Sequence, residues 1–265
     1  MYRLREDHTY HMPAHFGGQP GGLSWVCRCS DVHALSLVYE TDRDRLEAYV
    51  HEDFELLRPE ISVQMSQMRM VDFMANGGYN LVQVSVPVAY RREAGLTGVY
   101  PLVVWENQTW PIIGGREETG VPKIFADIAD LHSRGDHVFT CASFWSRTFL
   151  ELDFFGKRDA TPEELAQTNR DMEHIHLLGY RYIPNVGGPG AALSQATLYP
   201  QAMRCDRVVL GEGALRWHVP AFPEHHPGQH HILRALGELP LGRMIDARLL
   251  HGEITMNPPD ARTLP

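Results

Sequence analysis

The sequence predicts an α+β protein built mainly of antiparallel strands. Three observations carry that expectation. Short segments of alternating apolar and polar residues recur along most of the chain. Only two or three stretches carry helix signals. No internal repeat, low-complexity tract or linker divides the 265 residues, so residues 1–265 are expected to form one domain.

Residues 1–22 hold Pro13, Gly17, Gly18, Pro20, Gly21 and Gly22, and read as an irregular arm that needs the body or a neighbouring subunit to fix it. Residues 33–39 read as a strand, and Cys27 and Cys29 would share a strand face. Thr41 or Asp42 can cap a helix over about 43–51, with Leu46, Tyr49 and Val50 on one side. Residues 61–70 alternate, setting Ile61, Val63 and Met65 against Ser62, Gln64 and Ser66. Residues 80–90 alternate again. Their valine face is Val82, Val84, Val86 and Val88; the other mixes Leu81, Gln83 and Ser85, as a barrel lumen, a ligand-facing surface or a solvated face would. Gly95–Gly98 read as a turn, 99–105 as a strand and 107–115 as a short helix or turn. Strands are expected over 139–145, 148–154, 176–183, 191–198, 206–210, 214–219 and 244–256. Thr161-Pro162-Glu163-Glu164 starts a helix, with a hydroxyl cap, proline at the first position and acids in the first turn. The tail 257–265 is expected to fray.

The composition narrows the function. A formal charge of −9 disfavours nucleic acid or an anionic membrane surface as a partner. No apolar run reaches the ~20 residues that span a bilayer, and the first residues lack the apolar core of a signal peptide. The expected location is the cytoplasm, with the four cysteines reduced. The histidines of 225–231 straddle a Pro-Gly turn without metal-ligand spacing and read as a polar surface loop, so no metal is expected.

The chain has only two lysines. Lys157 sits in a charged, turn-like setting. Lys123 follows Pro122 and is flanked by Val121, Ile124 and Phe125. An ordinary lysine, titrating near ~10.4, is a free amine about once in 2,500 molecules at pH 7. An apolar wall disfavours the ammonium and raises the fraction of nucleophile. The bland alternative is a lysine that snorkels from a strand end to water.

The run Gly115-Arg116-Glu117-Glu118-Thr119-Gly120-Val121-Pro122-Lys123 resembles the signature of the acetoacetate decarboxylase superfamily, in which the lysine after the proline forms a Schiff base with a keto acid. Weaker similarities lie in order along the chain: His11 to Gly17, Val38 to Asp42, Tyr79 to Val88, Trp105-Glu106-Asn107 and Leu239-Pro240-Leu241. The resemblance implies a β-cone or double-barrel fold, a Schiff-base mechanism that needs no cofactor, and a homo-oligomer. Acetoacetate decarboxylase is itself a known example of an activated lysine, so this mechanism comes with the resemblance.

The departures from the family pattern shape the expected chemistry. A second lysine follows the nucleophile in the decarboxylase; here it is Ile124. Hand alignment puts the family's other active-site charges near Val32, Leu81 and either Ser66 or Gln64. Lys123, Glu118 and Glu253 are the expected catalytic residues, Glu253 because an acid among apolar neighbours needs a task or a partner. Arg116, Tyr79, Gln64 and Gln83 are the expected substrate contacts, Arg116 either as a bidentate carboxylate clamp or as an ion pair with Glu117. This set suits aldol condensation and dehydration of pyruvate or a similar 2-oxo acid with an aldehyde. Decarboxylation of a 3-oxo acid is the alternative, and a β-barrel binding protein without catalysis is a third.

Overall fold

The computed structural model describes residues 3–20 and 26–265. Met1, Tyr2, and Gly21 and Gly22 of the expected arm lie outside the described residues. Within the arm, His8–Thr9 pairs with Gln19–Pro20, and Ala14–Phe16 makes one 3-10 turn.

The remaining described strands join in a 14-stranded, mainly antiparallel sheet. In chain order these include β1 (Cys27–Glu40), β2 (Phe54–Leu56), β3 (Glu60–Val71), β4 (Gly77–Tyr90), β5 (Thr97–Glu106) and β6 (Lys123–Phe125). Further on come β7 (Asp127–Ile128), β8 (His132–Arg134), β9 (His137–Phe144), β10 (Arg147–Asp159), β11 (Ile175–Pro184), β12 (Ala191–Trp217), β13 (Met244–Met256) and β14 (Arg262–Thr263). Strands β12, β11, β5, β4, β3, β1 and β13 pair in that order, and β13 pairs back with β12, so the path closes on itself. Closure satisfies strand edges that an open sheet would leave bare. Among the described residues, only the β11–β5 and β5–β6 pairings are parallel.

Alternation along the strands produces two apolar clusters. The larger holds Leu35, Leu37, Val63, Met65, Val82, Val84, Trp105 and Phe149. The second holds Val32, Met68, Tyr79, Val104, Tyr199 and Met256. Adjacent residues of β1, β4 and β5 divide between the two, Ala34 from Leu35, Leu81 from Val82 and Val104 from Trp105, as the two-residue side-chain period requires.

Four expectations need correction. The helix after Asp42, whose carboxylate accepts from the Arg45 amide at 2.9 Å, covers only Arg43–Glu47; Leu46 is buried and Tyr49 is exposed. The three short strands expected over 191–219 are one strand, β12, which changes partner along its length from β11 to β13 to β10. The tail is tied down: β14 pairs with Thr197 and Leu198, Leu264 is buried, and the Tyr90 hydroxyl donates to the Pro265 carbonyl. The histidine loop is partly interior. His226 is fully buried against Phe144 and Phe149, and Gln229 accepts from the Trp105 indole at 2.9 Å.

The helix start at Thr161 carries both bonds of a capping box and runs over Pro162–Asp171. No helix among the described residues is long and apolar enough to cross a membrane.

Candidate active site

The lysine motif is delivered by three consecutive pieces of backbone. A helix over Thr109–Gly114 runs into a π-helical turn, Gly115–Thr119, and the chain reverses at Gly120 with φ of 74°. A glycine meets that left-handed conformation without strain. The turn is stitched through one carbonyl: Gly115 O accepts from the Val121 amide at 2.9 Å and from the Thr119 hydroxyl at 3.1 Å. Thr119 O accepts from the Thr197 hydroxyl at 2.9 Å, which ties the turn to β12. Lys123 then opens β6, in register with Val104 of β5.

Parallel pairing with β5 sets what the lysine meets. Its Nζ lies 2.8 Å from Glu106 Oε1 and donates to Pro111 O at 3.1 Å. Glu106, the last residue of β5, has no exposed surface, and its Oε2 has no hydrogen-bond partner. Burial raises its carboxyl above the usual carboxylate range, against the opposing pull of the Lys123 charge. Gly115 makes room for the lysine. A Cβ there would collide with Lys123 Cδ and Cε and sit 3.0 Å from Nζ.

Lys123 opens onto a pocket of about 90 Å³. Tyr79, Tyr199, Cys27, Phe73 and Met256 line it from the second cluster, and Trp110, Ile113, Glu118 and His11 line it from the motif side and the arm. Burial holds both tyrosine hydroxyls well above their ordinary range, so they stay protonated donors. Burial also pushes the Cys27 thiol up to about 11, with the charges of Asp72 and Glu118 adding to it. Among the described lining residues, the basic side chains are Lys123 and His11. His11 Nε2 lies 2.9 Å from Glu118 Oε1, and its ring meets Trp110 edge-on at 6.3 Å between centroids.

Of the residues expected from sequence, the fold brings Lys123, Glu118 and Tyr79 to this pocket. Arg116 is exposed and turned to the outside, where its Nη1 donates to the Lys123 carbonyl at 2.9 Å; it braces the main chain and does not line the pocket. Glu253 lies on the wrong face of β13. Ile254 packs in the second cluster and Met256 lines the pocket, whereas Glu253 and Thr255 border a separate depression with Arg170 and Arg204. Gln64 and Gln83 are direct partners across β3 and β4, with amides turned to Ser66 and Ser85, and neither lines the pocket. Ile124 packs against the larger cluster, and Val32 and Leu81 pack in or against the second.

Glu106, His11, Tyr199 and Cys27 were missed as site residues. Glu106 had a signal: a lone acid ending the apolar run 99–105, the argument that singled out Glu253. The others carry no local signal, because long-range pairing alone brings them in.

The profile of the family described as acetoacetate decarboxylase (ADC) matches residues 11–257. An acetoacetate decarboxylase of Burkholderia cenocepacia strain J2315 is 28% identical over 229 residues, which cover 86% of this chain and 85% of that protein. The crystal structure of the acetoacetate decarboxylase of Legionella pneumophila superposes with a TM-score of 0.72 at 20% identity, covering 91% of this chain and 88% of the other. The enduracididine biosynthesis enzyme MppR complexed with pyruvate gives 0.70 at 13% identity, with 97% of each chain covered. At these identities the two structures share the fold with this chain.

Proposed function

The chain belongs to the acetoacetate decarboxylase family, and from that membership we propose that it is a Schiff-base lyase acting on a small oxo acid through Lys123. The observation that carries this reading is the place of Nζ, 2.8 Å from the buried Glu106 carboxyl and facing a small pocket. An amine becomes a nucleophile when its proton has somewhere to go. Glu106 is a carboxyl that burial disposes to hold one.

The free amine attacks the ketone carbon, and the carbinolamine loses water to give an iminium. In a 3-oxo acid the bond between C2 and the carboxyl carbon then breaks. Its electron pair moves into the iminium, carbon dioxide leaves, and an enamine remains. A proton at C2 regenerates the iminium, and water releases the ketone and the lysine. Tyr79 and Tyr199 supply hydroxyl donors along this path, and the apolar lining disfavours a carboxylate more than the transition state in which its charge disperses.

Decarboxylation of a 3-oxo acid is the finer reading that the geometry favours over the aldol chemistry expected from sequence. The expected clamp, Arg116, faces away, and Glu253 is on another face. One observation supports the aldol condensation and dehydration as a second reading. Glu118 does reach the pocket, as the additional acid such a reaction needs.

Intact mass after borohydride reduction tests both. With acetoacetate, wild-type protein is expected to trap an acetone-sized adduct on Lys123 that Lys123→Ala lacks. A pyruvate adduct that persists, with no acetone-sized adduct from acetoacetate, would move the assignment to the second reading. No adduct from either compound would remove the lyase reading.

A further inference from the structure

We propose that Met256 limits the substituent that the Lys123 pocket accepts beyond the reacting carbonyl, so that a methyl group fits and a propyl group does not. This inference rests on the Schiff-base reading and adds to it the residue that sets the length of the substrate.

Exposure separates the two ends of the pocket. Trp110 is 53% exposed and the Glu118 side chain 40%, so these mark the mouth. Met256, Tyr199 and Tyr79 are buried and line the inner end. Closure of the sheet sets Met256 against the lysine. Around the closed path, β5, which carries β6 and Lys123, lies three strands from β1 in one direction and three from β13 in the other. Met256 of β13 is in register with Cys27 of β1, and both line the pocket. Phe73 completes this wall from a 3-10 turn, Asp72–Met74. The Asp72 carboxylate accepts from the Phe73 amide at 2.7 Å and from the Arg28 amide at 3.0 Å, which fixes the turn to β1. The main chain of Met256 is paired on both sides, with β1 and with β12.

Size and charge decide which part of a substrate reaches this wall. An apolar cavity of about 150 Å³ holds benzene. On that scale the pocket of about 90 Å³ takes roughly four heavy atoms, the skeleton of acetone. A carboxylate costs least at the mouth, where water reaches it, and most against Met256, Cys27 and Phe73. The other arm of the ketone therefore points at the wall. Two further methylenes there have no room unless Met256 yields, and overpacking among close-packed side chains is unfavourable. Truncation of Met256 to alanine removes the γ-carbon, the sulfur and the methyl carbon, which frees space for those two methylenes.

The test compares acetoacetate with 3-oxohexanoate, which is longer by two carbons beyond the carbonyl. If only pyruvate gives an adduct, the pair becomes pyruvate and 2-oxopentanoate. The readouts are the rate of borohydride-trapped adduct formation on Lys123 and, for the 3-oxo acids, kcat/KM for release of carbon dioxide. Wild type is expected to favour the shorter acid by about tenfold or more for each methylene. Met256→Ala is expected to cut that preference by about tenfold or more, through a gain with the longer acid. Met256→Val frees less space and is expected to fall between; it also serves if Met256→Ala fails to fold. Met203→Ala, in the same cluster but away from the pocket, is expected to keep the wild-type preference, which separates a wall residue from general loosening. A wild type that takes both acids equally would overturn the inference. So would an unchanged preference in the folded Met256 variants, or an equal loss of preference in Met203→Ala. In each of these cases an adduct from the shorter acid leaves the Schiff-base reading standing. No adduct on wild-type Lys123 from any of the four acids removes both.

Discussion

Lys123 Nζ and Glu106 Oε1 lie 2.8 Å apart, and the carboxylate of the pair has no exposed surface. The two residues are 17 positions apart, and neither local sequence announces the other. Parallel pairing of β6 with β5 makes the contact, because Val104 opposite Lys123 and Glu106 two residues on share a face. A buried carboxyl beside an amine can hold the proton that the amine must give up.

That pair makes stability depend on pH in a stated direction. Burial raises the folded-state titration of Glu106, so the folded protein binds a proton that the unfolded chain has released. The contribution is full below the unfolded carboxylate value of ~4.3 and is lost as pH rises through the raised folded value. Urea unfolding of Glu106→Gln is expected to show a flatter stability profile above pH 4 than wild type. Lys123→Met is expected to lose up to ~3–5 kcal/mol at neutral pH, and less in acid where Glu106 is protonated.

Gly115→Ala is expected to disable the lysine while leaving the fold. The new Cβ would overlap Lys123 Cδ and Cε, so the side chain must leave Glu106. Misplacement of a reacting atom by about 1 Å is worth roughly 100-fold in rate. Adduct formation, timed by borohydride quenching, is expected to slow by about that factor, and the thermal transition to fall at neutral pH because the buried Glu106 loses its partner.

Arg116→Ala separates a main-chain brace from a substrate clamp. Its Nη1 donates to the Lys123 carbonyl and is exposed, so the loss is expected to be about 1 kcal/mol of stability, with substrate affinity little changed. Steady-state kinetics checks this. Substrate affinity weakened by a factor of about 100 would mean that the guanidinium turns inward as a bidentate clamp. Glu253→Gln is expected to turn over like wild type, because Glu253 borders a different depression.

His226 is expected to make the protein labile in acid. It is fully buried, and burial, with the nearby Arg147 charge, lowers its titration below the usual imidazole value. The unfolded chain therefore binds a proton first as pH falls below ~6.5, and stability drops from there toward the lowered folded value. His226→Phe is expected to flatten that slope, which is at most ~1.4 kcal/mol per pH unit for one group. Chemical denaturation of both proteins at pH 5 and 7.5 measures it.

Much of the fold was legible because alternation is local. The strands at 61–70, 80–90 and 244–256 and the capped helix after Thr161 follow from side-chain period and capping chemistry. The long strand Ala191–Trp217 was not legible, because partners from three parts of the sheet sustain it past residues that locally read as breaks. The tail was misread for a related reason: the strand that receives Arg262 and Thr263 lies over sixty residues away.

By itself the sequence determined the lysine, the motif that carries it, and the glycines that let it turn and approach, because these depend on residue type and short spacing. The tertiary structure alone decided which acids the lysine would meet. Glu106 and Glu253 look alike as lone acids in apolar strands, yet one touches Nζ and the other borders a different depression. Side chains in a strand alternate between faces, so a shift of one residue in register reverses an acid's side. That register is set by pairing with distant strands, which no local pattern encodes.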